Sequence, residues 1–124
     1  MCMADLNQIM TWTFVKETEA PSEVKEILID GEKIEAAYKT VRDVAVITNK
    51  RIIVADKQGL TGKKVEIYTI PFKSIVIYSS ENARGILDFN AEIQLWTRAG
   101  TFKLNLKKGI NIRKIDRLIA QHIL

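Results

Sequence analysis

The chain has 124 residues, 47% of them apolar, 27% charged and 7% aromatic, with six Gly, two Pro and a formal charge of +4. That length allows one domain of ordinary size, and the composition excludes a disordered, collagen-like or disulfide-framed chain. The charge is unevenly spread: residues 1–32 hold two Lys against seven Asp and Glu, while residues 98–124 hold seven Lys and Arg against one Asp.

Residues 1–10 place no Lys or Arg ahead of their apolar stretch, carry Asp5 and lack a small-residue cleavage pattern, which argues against a secretory signal. Cys2 is the only cysteine, so no internal disulfide is available. No run approaches the roughly 18 apolar residues of a membrane span. A cytoplasmic location is the expectation.

In residues 5–16, Leu6, Ile9, Met10, Trp12 and Phe14 lie close together with a mixed period, and a helix is predicted there. A second helix is expected after Pro21. Ser22 is its candidate cap, and Glu23 and Glu26 suit its positive end. Val24, Ile27 and Leu28 share its apolar face, and Asp30-Gly31 ends it. Residues 1–30 are therefore expected to form a helical N-terminal segment, and residues 31–124 a barrel domain.

From Lys33 to Leu106 the apolar period is two, the signature of strands with one buried face. Strands are predicted over 33–41, 43–48, 51–56, 63–70, 73–79, 89–98 and 101–106. The first two join tightly around Arg42, and Asn49-Lys50 forms a two-residue turn. Pro71 interrupts a ladder because it has no N–H to donate. Ala99-Gly100 turns the last hairpin, whose inner face carries Phe89, Ala91, Ile93, Leu95, Phe102, Leu104 and Leu106. Asn111 then caps a helix with an apolar stripe of Ile112, Ile115, Leu118, Ile119 and Ile123. The expected design is mainly β: two bent antiparallel sheets forming a split seven-stranded barrel, its open end covered by the C-terminal helix.

With the strands placed, the chain resembles the bacterial pleckstrin-homology (PH) domain family. The likeness rests on Gly31-Glu32, Arg42-Asp43, Thr48-Asn49-Lys50-Arg51, the run from Asp56 to Lys64, Ile70-Pro71-Phe72-Lys73-Ser74-Ile75, Leu95-Trp96-Thr97 and the closing helix. It covers residues 31–123. The resemblance implies the split barrel, homo-oligomeric ring-like assembly and no catalytic activity. The first turn departs from phosphoinositide-binding relatives: Lys39-Thr40-Val41-Arg42-Asp43 is short, and Asp43 opposes an anion.

The inventory for catalysis is thin. His122 is the only histidine, so a metal site would depend on carboxylates, and a packing role suits it better. Cys2 and His122 could pair only if the termini met. Glu32, Glu35, Asp43, Asp56, Glu66, Asp88 and Glu92 are scattered and read as carboxylates on solvated strand faces. Residues 59–64 lack the length and following helix of a phosphate loop. No catalytic, cofactor-binding or metal-binding residue is assigned, and no cofactor is expected.

Two surfaces remain as candidates. Lys107, Lys108, Arg113, Lys114 and Arg117 could attract acidic lipid head groups or nucleic acid, or simply form a solvated basic face. Trp96 sits on the polar side of its strand, where a large ring marks either an interface or a site covered by the N-terminal segment. The favoured reading is a non-enzymatic scaffold that binds itself, with other proteins as further candidate partners and with Trp96, Glu23, Glu26 and Lys103 in the interface. Opposite charge at the two ends of the chain suits head-to-tail contact, and suits pairing within one chain equally well.

Overall fold

Period-two patterning along most of the chain becomes a single sheet. The computed structural model describes residues 9–58, 64–81 and 91–124. These form β1 (Ile9–Glu17), α1 (Ser22–Lys25), β2 (Ile34–Thr40), β3 (Val44–Thr48), β4 (Arg51–Gln58), β5 (Lys64–Pro71), β6 (Ile75–Glu81), β7 (Ala91–Thr97), β8 (Gly100–Leu106) and α2 (Ile112–Ile123), with a short 3₁₀ turn at Phe72–Ser74. The strand order is β5-β4-β3-β2-β1-β8-β7-β6. Every neighbouring pair is antiparallel except β1 and β8, which run parallel with Trp12 opposite Leu104 and Phe14 opposite Leu106. The expected mainly β architecture with a C-terminal helical cap is present.

The N-terminal helix is not. Over its described part the segment predicted as helix is β1, and residues 5–8 lie outside the described residues. Trp12 and Phe14 turn inward while Thr11 and Val15 face out, a period of two that the apolar spacing upstream obscured. Thr and aromatic residues favour the pleated conformation. The decisive term is non-local: β2 and β8 each have a backbone edge to satisfy, and β1 satisfies both. The expected seven strands are therefore eight among the described residues, and β1 belongs to the same sheet as the rest.

The second helix shrinks to one turn. Pro21 occupies its N-cap without a side-chain hydrogen bond, so Ser22 does not cap it. The segment still buries its apolar side. Val24 packs on the outer face of the sheet against Ala37, Val44, Val46, Ile53 and Ala55, with Leu28 beside them. This strap explains why β3 is buried at all five positions. A strand covered on both faces reads as a continuous apolar run.

The main core lies inside the folded sheet. Phe14 stacks on Tyr38 with ring centroids 5.2 Å apart, and Ile47, Ile93, Leu95 and Leu104 close around them. Asn111 caps α2 as predicted, its Oδ1 accepting from the Lys114 N–H at 3.2 Å. Ile115 and Ile119 of that helix are fully buried in the core.

Tyr38 is 1% exposed, and its hydroxyl has no hydrogen-bond partner among the described residues. Burial pushes its pKa up to about 12. A buried hydroxyl left unpaired costs free energy, so Tyr38→Phe is expected to raise stability by about 1 kcal/mol. The check is a higher urea midpoint at unchanged slope; a lower midpoint would mean that the hydroxyl is satisfied in solution.

Candidate functional site

The chain between α1 and β2 converges on one carboxylate. The Glu32 side chain is fully shielded from solvent. Its Oε2 accepts from Thr48 Oγ1 at 2.6 Å and Arg51 Nε at 2.8 Å, while Oε1 accepts from Arg51 Nη2 at 3.0 Å and the Ile29 N–H at 3.1 Å. The Arg51 guanidinium beside Glu32 holds its carboxyl down at about 2, with Thr48 and the Ile29 amide assisting against the effect of burial. Arg51 also donates to the Ile27 carbonyl at 2.8 Å and to Thr69 Oγ1 at 3.2 Å. One side chain thereby ties the strap, β4 and β5 together.

The predicted β3–β4 turn is built around the same atoms. Thr48 Oγ1 accepts from the Lys50 and Arg51 N–H groups, both at 3.0 Å. Asn49 reaches across to the segment just before β2, accepting from the Lys33 N–H at 2.8 Å and donating to the Gly31 carbonyl at 3.1 Å. Gly31 has φ +81°, a conformation that strains residues with a Cβ. Glu32 was expected on a solvated strand face; its burial in this network is a correction. Its side-chain partners Thr48 and Arg51 stand 16 and 19 residues away, beyond the reach of any local pattern.

Beside this network lies a half-open cleft of about 450 Å³ between the β3–β4 turn, the 3₁₀ turn and the end of α2. Ile29, Pro71 and Phe72 supply its apolar wall, and Lys50 and Lys73 stand on it as exposed cations. His122 stacks on Phe72 at 5.3 Å, and its Nε2 lies 2.6 Å from Glu35 Oε1. This is a packing role with a polar handle. A second cleft of about 390 Å³ adjoins the first hairpin. There Arg42 pairs with Asp56 at 3.7 Å, and Thr40 closes the tight turn by accepting from the Asp43 N–H.

The predicted surface residues are distributed rather than convergent. Lys114 is paired with Glu17 at 2.6 Å, so the acidic start and basic end of the chain meet within one molecule. Lys103 lies 3.6 Å from Glu92 on the outer sheet face. Glu23 and Glu26 are exposed on the strap, and Lys107, Lys108, Arg113 and Arg117 are exposed around the start of α2. Trp96 is half-buried on β7, directly opposite Ile77 of β6, and Ile77 is 63% exposed. Among the described residues no cluster of three or more His, Cys, Asp or Glu could hold a metal, and no helix is long and apolar enough to cross a membrane. Cys2 lies outside the described residues.

A family profile for the bacterial PH domain matches residues 4–123. The chain belongs to the bacterial PH domain family. It is 44% identical over 101 residues to the uncharacterised protein YjqA of Bacillus subtilis strain 168, covering 79% of this chain and 80% of that one. It is 32% identical over 108 residues to the uncharacterised YozO of the same organism, covering 87% and 92%. Among solved structures, a DUF1696 family protein with a pleckstrin-homology domain from Shewanella loihica PV-4 superposes with a TM-score of 0.79 at 38% identity, over 88% of this chain and 97% of that one. A pleckstrin homology domain from Shewanella amazonensis SB2B gives 0.65 at 43% identity, covering 83% and 84%. Two of the motifs that carry the family resemblance, Gly31-Glu32 and Thr48-Asn49-Lys50-Arg51, meet in the Glu32 network.

Proposed function

We propose that the protein is a non-enzymatic PH-like scaffold that self-associates head to tail into a ring-like homo-oligomer in the cytoplasm. The observation that carries this reading is the pair of free sheet ends. β5 and β6 terminate the strand order, and each has one edge unpaired among the described residues. Val65 and Ile67 are exposed on β5, and Val76 and Ile77 on β6, the latter beside Trp96. An unpaired edge with apolar side chains is a template for another strand. Two different ends on one chain make a heterologous contact, the kind that closes into a ring. Glu23 and Glu26, which have no ion pair among the described residues, are the acidic groups offered to a neighbour's Lys103 side. The Lys107–Arg117 cluster as a lipid or nucleic-acid site is less supported, since Glu17 already engages Lys114.

Size-exclusion chromatography with light scattering tests the reading. The expected mass is a multiple of 14.1 kDa at micromolar concentration. Ile67→Lys and Ile77→Lys should each yield small species, and mixing the two variants should restore dimers, because each retains one intact end. A monodisperse 14.1 kDa wild type would overturn the proposal.

A further inference from the structure

The cleft beside the Glu32 network has a composition that the scaffold reading does not use. Its lining includes Lys50, Arg51 and Lys73 but no carboxylate. Arg51 is largely committed elsewhere, with four of its five N–H groups donating to Glu32, Thr69 or the Ile27 carbonyl. Lys50 and Lys73 are different: both are exposed, and neither has an ion pair among the described residues. Their backbones are fixed relative to each other, because the Phe72 N–H donates to the Lys50 carbonyl at 3.1 Å. Ser74 Oγ donating to the Pro71 carbonyl at 2.7 Å holds the 3₁₀ turn that carries Lys73. The two cations are thus presented from a braced pair of turns, which lowers the ordering cost of a ligand.

The same cleft has an apolar wall. Phe72 stacks on the His122 ring, and Ile29, 59% exposed, leaves a large aliphatic surface facing solvent. A volume of about 450 Å³ falls within the range of small-molecule sites, which combine apolar lining with a few placed polar groups. We propose that this cleft binds a small soluble organic anion: one carboxylate or phosphate group, held by Lys50 and Lys73, joined to an apolar body that lies against Ile29, Pro71 and Phe72. Lysine acts as a point charge rather than a bidentate fork, so the site selects for charge and size more than for anion geometry. The site stands independently of self-association.

The test is an NMR titration of the full ¹⁵N-labelled chain with phenyl phosphate, phenylacetate, inorganic phosphate and benzyl alcohol. Phenyl phosphate and phenylacetate should give saturable shifts centred on the amides of Lys50, Phe72, Lys73 and His122. Inorganic phosphate, which lacks the apolar body, and benzyl alcohol, which lacks the charge, should bind more weakly. The double variant Lys50→Ala/Lys73→Ala alters only exposed side chains and should keep the wild-type Tm while losing about tenfold in affinity. The absence of saturation with either aromatic anion would overturn the proposal. So would unchanged affinity in the double variant, or shifts centred on Lys107–Arg117 instead.

Discussion

Replacing Arg51 by Met should cost the fold about 3–5 kcal/mol, the loss typical of a buried ion pair from which one partner is removed. The cost arises at Glu32. With Arg51 gone, a carboxylate shielded from solvent keeps only the Thr48 hydroxyl and the Ile29 amide, and the links to the Ile27 carbonyl and Thr69 disappear too. Arg51→Lys should recover little, because one ammonium cannot serve both carboxylate oxygens and the carbonyl at once. Glu32→Leu together with Arg51→Met should recover part of the loss, since no buried charge remains. The pH dependence follows from the same pair. The Glu32 carboxyl titrates at about 2 in the folded chain against an ordinary value of 4.5. Its contribution is therefore complete above pH 4.5 and is lost as the pH falls from there toward 2. Urea unfolding measured across that window should show wild-type stability falling steeply, and Glu32→Gln flattening the slope. An Arg51→Met midpoint close to wild type at pH 7 would show that the network does not carry this energy.

The features legible in the sequence are those decided within a few residues. Asn111 bonds a backbone amide three positions away, and Asn49-Lys50 turns the chain between two strands, so each can be read where it stands. The hairpin of β7 and β8 is legible because Ala91, Ile93 and Leu95 alternate without exception and meet a partner across two residues. The Glu32 network is not legible in this way. Its members appear as separate short motifs, and only the folded chain shows that they touch. The split of charge between the chain ends takes its meaning from how the chain folds. The Glu17–Lys114 pair uses part of it inside the molecule, and such an exposed pair adds at most about 1 kcal/mol. Trp96 alternates with the buried Ala91, Ile93 and Leu95 along β7 and is half-buried. The N-terminal segment covers other strands and leaves that ring half-buried beside Ile77.

The segment least legible in the sequence should also be among the most sensitive to substitution. Phe14→Ala is expected to lose about 3–5 kcal/mol, the usual cost of emptying a well-packed aromatic site. Phe14 is 0% exposed, lies between Thr40 of β2 and Leu106 of β8, and stacks on Tyr38. Val15, its neighbour in sequence, points the other way and is 37% exposed. Val15→Ala should therefore change stability by only about 0.5 kcal/mol. This contrast between adjacent residues is the mark of a strand, and Trp12 against Thr11 should repeat it. A further consequence separates β1 from an ordinary core element. Both of its sides are hydrogen-bonded, so loosening it uncovers β2 and β8 together and opens the sheet at its centre. Amide exchange in Phe14→Ala should then accelerate first at Tyr38 on β2 and Leu104 on β8, with exposed edges promoting aggregation. Uniform acceleration across the sheet, or equal losses from Phe14→Ala and Val15→Ala, would contradict a β1 that holds the two halves of the sheet together.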